Sequence, residues 1–111
     1  MIFGSLIEVL YSMLDDENKE LSKKYDANNY RIFLGMVHHS YGRMLRNDLG
    51  LWNEDTAIVK WFKKEYNLDH ADDISSLIII ALLFKDNDEL ADFVMEKEAE
   101  RFREHWRNND E

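Results

Sequence analysis

An all-α fold, a compact bundle of about five helices, is what this sequence predicts, and three observations carry the prediction. Apolar residues recur at three- and four-residue spacing in five separate segments. Proline is absent and glycine occurs only four times in 111 residues, so little interrupts a helix. The run LIIIALLF at residues 77–84 is apolar on every side and far shorter than the ~20 residues of a membrane span, so other helices have to enclose it. A chain of this length is expected to form one domain, residues 1–111, burying about two thirds of its unfolded surface.

The first helix is read from Phe3, Leu6, Ile7, Leu10, Met13 and Leu14, which make one broad stripe. DDENKELSKKYDANN then reads as a polar connection, with Leu21 and Tyr25 as its apolar anchors or as an extension of the helix. A second helix is expected from about Asn28 to Arg46. Its Tyr30, Phe33, Leu34, Val37, Tyr41, Met44 and Leu45 fall within roughly a third of the circumference at ~100° per residue. The NDLGLW loop follows, with Gly50 at a left-handed position and Trp52 as the apolar residue fixing the loop.

Asn53 is the expected N-cap of a third helix, with Glu54 and Asp55 in its first turn and Ile58, Val59, Phe62 and Tyr66 on its apolar face. Lys63 and Lys64 suit its C-terminal end. Asn67 then reads as a left-handed stop, with Leu68 packing back over the last turn. The fourth helix is capped by Asp69 or His70, carries Asp72 and Asp73 in its first turn, and forms the fully apolar centre of the bundle through residues 77–84. The last helix starts near Asp88 and shows two faces: Leu90, Phe93 and Val94 on one, Met95, Ala99, Phe102 and Trp106 on the other. The second stripe is a candidate interface for a protein partner or for a second copy of the chain, as a homodimer through this helix. The last few residues are expected to fray.

Charge narrows the function classes. Acidic residues outnumber basic ones 23 to 14, for a formal net charge of −9, and the basic residues do not cluster beyond pairs such as Lys23-Lys24 and Lys63-Lys64. Direct nucleic-acid binding is therefore disfavoured. The absence of cysteine removes disulfides, thiolate metal sites and cysteine nucleophiles, and it fits a reducing compartment. The opening MIFGSLIEVLYSML lacks a basic start and contains Glu8, so it reads as a helix and not a signal peptide. The expectation is a cytoplasmic protein without membrane contact.

Chemistry-bearing residues concentrate in VHHSYGRMLRNDLGLW, residues 37–52. On one continuous helix His38, Gly42 and Arg46 share a face, with Gly35 beside them, while His39 points about 100° away. A face bearing two glycines invites close approach by the fourth helix, which would set Arg46 near Asp72 or Asp73. One reading is a structural joint: an Arg–Asp bridge and a histidine hydrogen bond lock two helix ends around the loop. The other is a binding site formed by His38, Arg46, Asn47, Trp52, Asp72 and Asp73. The joint reading is favoured, because ion-pair networks imitate functional clusters. A metal held by His38, His70, Asp72 and Asp73 is geometrically allowed, but the aspartates already have a helix-capping role, and no metal or cofactor is assigned. Ser40 and its neighbouring histidines diverge on a helix, and no phosphate loop is present, so no catalytic residue is assigned and the chain reads away from an enzyme.

The pattern H-x3-G-x3-RN-x2-GLW (His38, Gly42, Arg46, Asn47, Gly50, Leu51 and Trp52), followed by DDIS at 72–75, resembles an uncharacterised bacterial domain family of unknown function. Its members carry a similar histidine, an RN-x-W-GLW segment and a downstream H-P-D-D-M-S. The resemblance covers about residues 37–82. Leu49 stands where the family has tryptophan, Ala71 where it has proline and Ile74 where it has methionine. It implies that the cluster is one unit, and it brings no activity.

Three functions are consistent with these features. The favoured one is a small acidic interaction protein acting by binding another protein, of the immunity-factor or phage-inhibitor kind. The second is a small-molecule or metal-binding domain, enzymatic or not, centred on His38, Arg46 and Asp72. The third is a nucleic-acid mimic, which needs segregated carboxylates; the mixing of Glu96, Glu100 and Glu104 with Lys97, Arg101 and Arg103 argues against it.

Overall fold

The computed structural model describes residues 4–109; Phe3 of the first stripe and the terminal residues 110–111 lie outside the described residues. Among the described residues there are seven α-helices and no strand. They are α1 (Gly4–Ser12), α2 (Asp16–Ser22), α3 (Tyr30–Val37), α4 (Tyr41–Asp48), α5 (Ala57–Tyr66), α6 (Ala71–Leu83) and α7 (Asp88–Asn109). The all-α class stands and the count of five does not. None of these helices is long and apolar enough to cross a membrane.

Two differences account for the extra helices. The polar connection contains α2, whose N-cap Asp15 accepts a hydrogen bond from the Asn18 amide at 2.7 Å, with Asp16 and Glu17 in the first turn. Capping and the helix dipole sustain this short element where no apolar stripe announces it. The expected helix 28–46 is divided at His38-His39-Ser40. Ser40 adopts φ −108 and ψ −85, outside the helical region, and α4 starts afresh after it. The apolar pattern survives the break: Tyr30, Phe33, Leu34, Val37 and Leu45 are all buried.

Loop details differ as well. Gly50 does take a positive φ, 64°. Yet the residue that anchors its loop is Leu51, 1% exposed, while Trp52 stands 61% exposed. The N-cap of α5 is Thr56, which accepts from the Val59 amide, and not Asn53. Asn53 instead closes the preceding turn by accepting from the Asp55 amide at 2.9 Å. Asn67 is left-handed, φ 56°, and its amide donates to the Lys63 carbonyl. Leu68 behind it is buried.

α6 is sixth in the chain, not fourth, and packs against α1, α3, α4 and α7. Residues 77–82 are buried. The helix is not apolar throughout, since Asp72, Asp73, Ser75 and Ser76 fill its first two turns and Asp73 and Ser75 are themselves buried. Asn87 caps α7 by accepting from the Leu90 amide at 3.1 Å. Along α7 the buried stripe is Ala91, Val94, Met95, Glu98 and Ala99, with Phe102 packed partly against the core. The stripe expected to be spare is thus partly spent inside the fold: Met95 and Ala99 are fully buried, and it is Phe93 that stands out, 64% exposed.

The close helix approach expected at the glycines is absent. A Cβ at Gly35 would meet nothing within 4 Å, and at Gly42 it would meet the Arg46 guanidinium of its own helix, 3.0 Å from Nη1. Gly35 therefore loosens α3 without serving close packing. Gly35→Ala should raise stability by about 0.5–1 kcal/mol, read as a higher urea midpoint at unchanged slope.

Candidate functional site

The break between α3 and α4 turns the chain so that Arg46 can reach back to where α3 ends. Arg46 is 5% exposed, and its donors meet three groups on two other helices. Nη2 donates to the His38 carbonyl at 3.0 Å, at the C-terminus of α3. Nη1 donates to Ser75 Oγ at 3.1 Å. Nε lies 3.3 Å from Asp72 Oδ1, in the first turn of α6. A cation placed here complements the carbonyl end of α3 and pairs with the carboxylate that complements the start of α6. Ser75 Oγ passes the chain on, donating to the Asp72 carbonyl at 2.9 Å. His70 caps α6 by accepting from the Asp72 amide through Nδ1 at 3.2 Å.

The structure therefore brings together Arg46, Asp72 and the His38 backbone, and adds Ser75. The His38 ring is not part of that contact; it lies edge-on to His39, with centroids 4.9 Å apart. Asn47 is exposed and its side chain takes no part in the cluster. Trp52 lies against its edge, with its ring 6.3 Å from that of His70. Asp73 is not paired with Arg46 and instead accepts from Trp106 Nε1 at 2.7 Å, tying α6 to α7. Among the described residues no three histidine, aspartate or glutamate side chains converge as a metal-ligand set. The metal option at His38, His70, Asp72 and Asp73 thus has no assembled donors behind it.

Beside this joint a groove of about 570 Å³ opens between α3 and α7, with the start of α6 as its floor. Its walls include Ile32, Gly35 and Phe102, and its acids are Asp72, Asp73 and Glu98. Glu98 is 2% exposed and missing from the sequence-level site. Its Oε1 accepts from the Tyr30 hydroxyl at 2.7 Å, while Arg31 Nε lies 3.5 Å from Oε2 and Arg101 Nε 3.7 Å from Oε1. Burial, followed by the Glu98 hydrogen bond, pushes the Tyr30 hydroxyl up to about 12, which keeps it a donor. Spacing could have found Glu98, because it falls at i+4 from Val94 and i+3 from Met95, inside the buried stripe of α7.

Asp73 differs from its two neighbours. It is 8% exposed, with Oδ2 engaged by Trp106, and no arginine or lysine among the described residues forms an ion pair with it. Burial drives its carboxyl above the ordinary value. The Trp106 hydrogen bond, His70 and His105 oppose that rise, and Asp72 adds to it.

A second cleft, about 430 Å³, lies between the end of α5 and α7 and is lined by Lys63, His70, Arg103, Trp106 and Arg107. Its cations are already matched. Lys63 lies 3.8 Å from Asp69, and Arg103 and Arg107 bond Glu100 at 2.8 and 3.0 Å, with Glu96 also on Arg103. Arg103 further caps α5 by donating to the Tyr66 carbonyl at 2.7 Å. Those arginines hold the Glu100 carboxyl below its usual range. The cleft is a self-neutralised helix junction and offers no free charge to an anion.

Residues 5–86 match a protein family described as a domain of unknown function, DUF6794. The chain belongs to this family. The matched segment runs from α1 to the turn before α7, so it contains the Arg46 joint and stops short of the Glu98, Phe102 and Trp106 side of the groove. No curated protein and no solved structure matches the chain.

Two expectations follow. Arg46→Met should cost roughly 2–4 kcal/mol in urea unfolding, because Asp72, Ser75 and the His38 carbonyl lose a shared buried donor. Arg46→Lys should recover little of that, since one ammonium cannot fork to three acceptors. For Asp73 the sign is reversed. The native carboxyl holds its proton more tightly than the unfolded one, so its charge costs stability at neutral pH, and the cost fades as pH falls through the raised native value. Asp73→Asn should therefore raise the thermal midpoint at pH 7, and the gain over the native chain should shrink steadily toward pH 4.

Proposed function

We propose that this chain is a small acidic interaction protein, acting by binding another protein, and that the face carrying the α3–α7 groove is its docking surface. The observation that carries this reading is the outer edge of α3. Ile32, which lines the groove, and Met36, one turn on, are 60% and 55% exposed, and Gly35 between them presents no side chain, which leaves a low apolar sill along α3. Large apolar side chains left in water beside a concave, partly charged surface are the usual marks of a protein contact. With a formal charge of −9, the chain favours a basic partner through long-range attraction.

A site centred on His38, Arg46 and Asp72 gains little support, because Arg46 spends its donors within the chain. The nucleic-acid mimic gains none from α7, where Glu96 and Glu100 are paired with Arg103 and Arg107. An immunity- or phage-inhibitor-like role suits a small acidic domain that covers a basic target. The cytoplasm belongs to the same proposal, on the absence of cysteine. A homodimer through α7 would have to use Phe93 and Trp106, because Met95 and Ala99 are inside the fold.

The test is affinity capture at endogenous levels, comparing the native chain with Ile32→Glu and Met36→Glu. Both substitutions sit at exposed positions, so folding should be retained by circular dichroism. A specific partner held by the native chain should be lost or reduced more than tenfold by either substitution, the scale of one hot-spot contact. A partner retained equally by all three chains would exclude this surface.

A further inference from the structure

The groove contains three carboxylates, and the fold shows what satisfies two of them. Asp72 has Arg46 at 3.3 Å, and Glu98 has Arg31 at 3.5 Å and Arg101 at 3.7 Å. Asp73, 8% exposed, has the Trp106 indole on one oxygen, the rings of His70 and His105 nearby, and no arginine or lysine ion pair among the described residues. A carboxylate taken so far out of water is costly unless a cation and hydrogen bonds compensate it. Asp73 is itself one of the residues that line the groove.

We propose that Asp73 is the floor of a subsite that takes one basic side chain, lysine or arginine, from a partner protein seated in the α3–α7 groove. This rests on the docking reading given above and adds the chemistry of the contact. The walls suit the rest of such a side chain: Ile32, Gly35 and Phe102 offer an apolar passage for a methylene stem, and Gly35 keeps it open. The charge count selects a single cation. Arg31 lines the same groove and is held at Glu98, so a second positive charge extending along the groove would meet it. A buried carboxylate without an arginine or lysine partner, in the lining of a groove open to a partner, suits recognition of a cation.

The test titrates the isolotopically labelled full chain with ethylguanidinium and n-butylammonium, which copy the ends of arginine and lysine, and with 1,4-diaminobutane as a free diamine. The Trp106 indole N–H and the Gly35 amide report the groove. Saturable shifts at both signals are expected with a monocation. Asp73→Asn should weaken that binding by about tenfold or more, the worth of one charge-assisted hydrogen bond. Gly35→Leu should block it sterically while the chain stays folded, since that position faces open space. Glu65→Gln, which removes an exposed charge on α5, should change it less than about twofold.

Shifts that never saturate, or that persist unchanged in Asp73→Asn, would overturn the subsite. A diamine binding more than about a hundredfold tighter than either monocation would also overturn it, in favour of a free polyamine. Either result leaves the docking surface to be judged by the capture experiment with Ile32→Glu. The two ideas therefore fail separately. Loss of a captured partner in Asp73→Asn, with a thermal midpoint no lower than that of the native chain, would support the subsite on the partner itself.

Discussion

One buried guanidinium holds the polar end of this fold together. Arg46 sits where α3 stops, α4 begins again and α6 starts, and it bonds to a group at each of the first and last. The arrangement is possible because a planar fork delivers several donors in fixed directions, one to a carbonyl, one to a hydroxyl and one to a carboxylate. Without it, the α3 carbonyl end and the acidic start of α6 would face each other across the break with nothing between them. The position of α3, and with it one wall of the groove, therefore depends on a side chain that lies outside the groove's own lining.

The same end of the molecule divides its charges unevenly. Around α5 and α7 every cation of the second cleft has a carboxylate beside it, and the junction is closed upon itself. Across α6, two carboxylates of the groove are satisfied by arginines, and the third bonds an indole and has no arginine or lysine partner among the described residues. Equal numbers of charges thus produce a sealed joint on one side and an incomplete one on the other. The proposed role in protein binding grows from that difference, together with the exposed sill of Ile32 and Met36.

Much of the fold was legible in the sequence, and its failures have physical causes. Long apolar stripes located the residues of α3 to α7, and Asn67 and Gly50 were readable because left-handed backbone selects those residue types. α2 escaped because a seven-residue helix held by an Asp cap needs no apolar face. The division at residues 38–40 escaped because a helical wheel assumes continuity, and nothing in His-His-Ser forbids helix; the break is stabilised from a distance, by Arg46 on the His38 carbonyl. For the site, Arg46 beside Asp72 could be read from cation and helix start together. Trp52 was misassigned because an indole is as able to stand in water as to anchor a loop, and Leu51 took the buried place. Asp73 with Trp106, and Tyr30 with Glu98, join residues 33 and 68 positions apart, a distance no local pattern encodes.

Gly42 gives this design a cost and a constraint. A glycine inside a helix gives up about 1 kcal/mol against alanine, and here the space it leaves is filled by the tip of the arginine one turn later. The two positions are halves of a single fitting. A methyl group at the first would press on the guanidinium of the second, so a change at residue 42 is felt through Arg46 at the start of α6, two helices further along the chain.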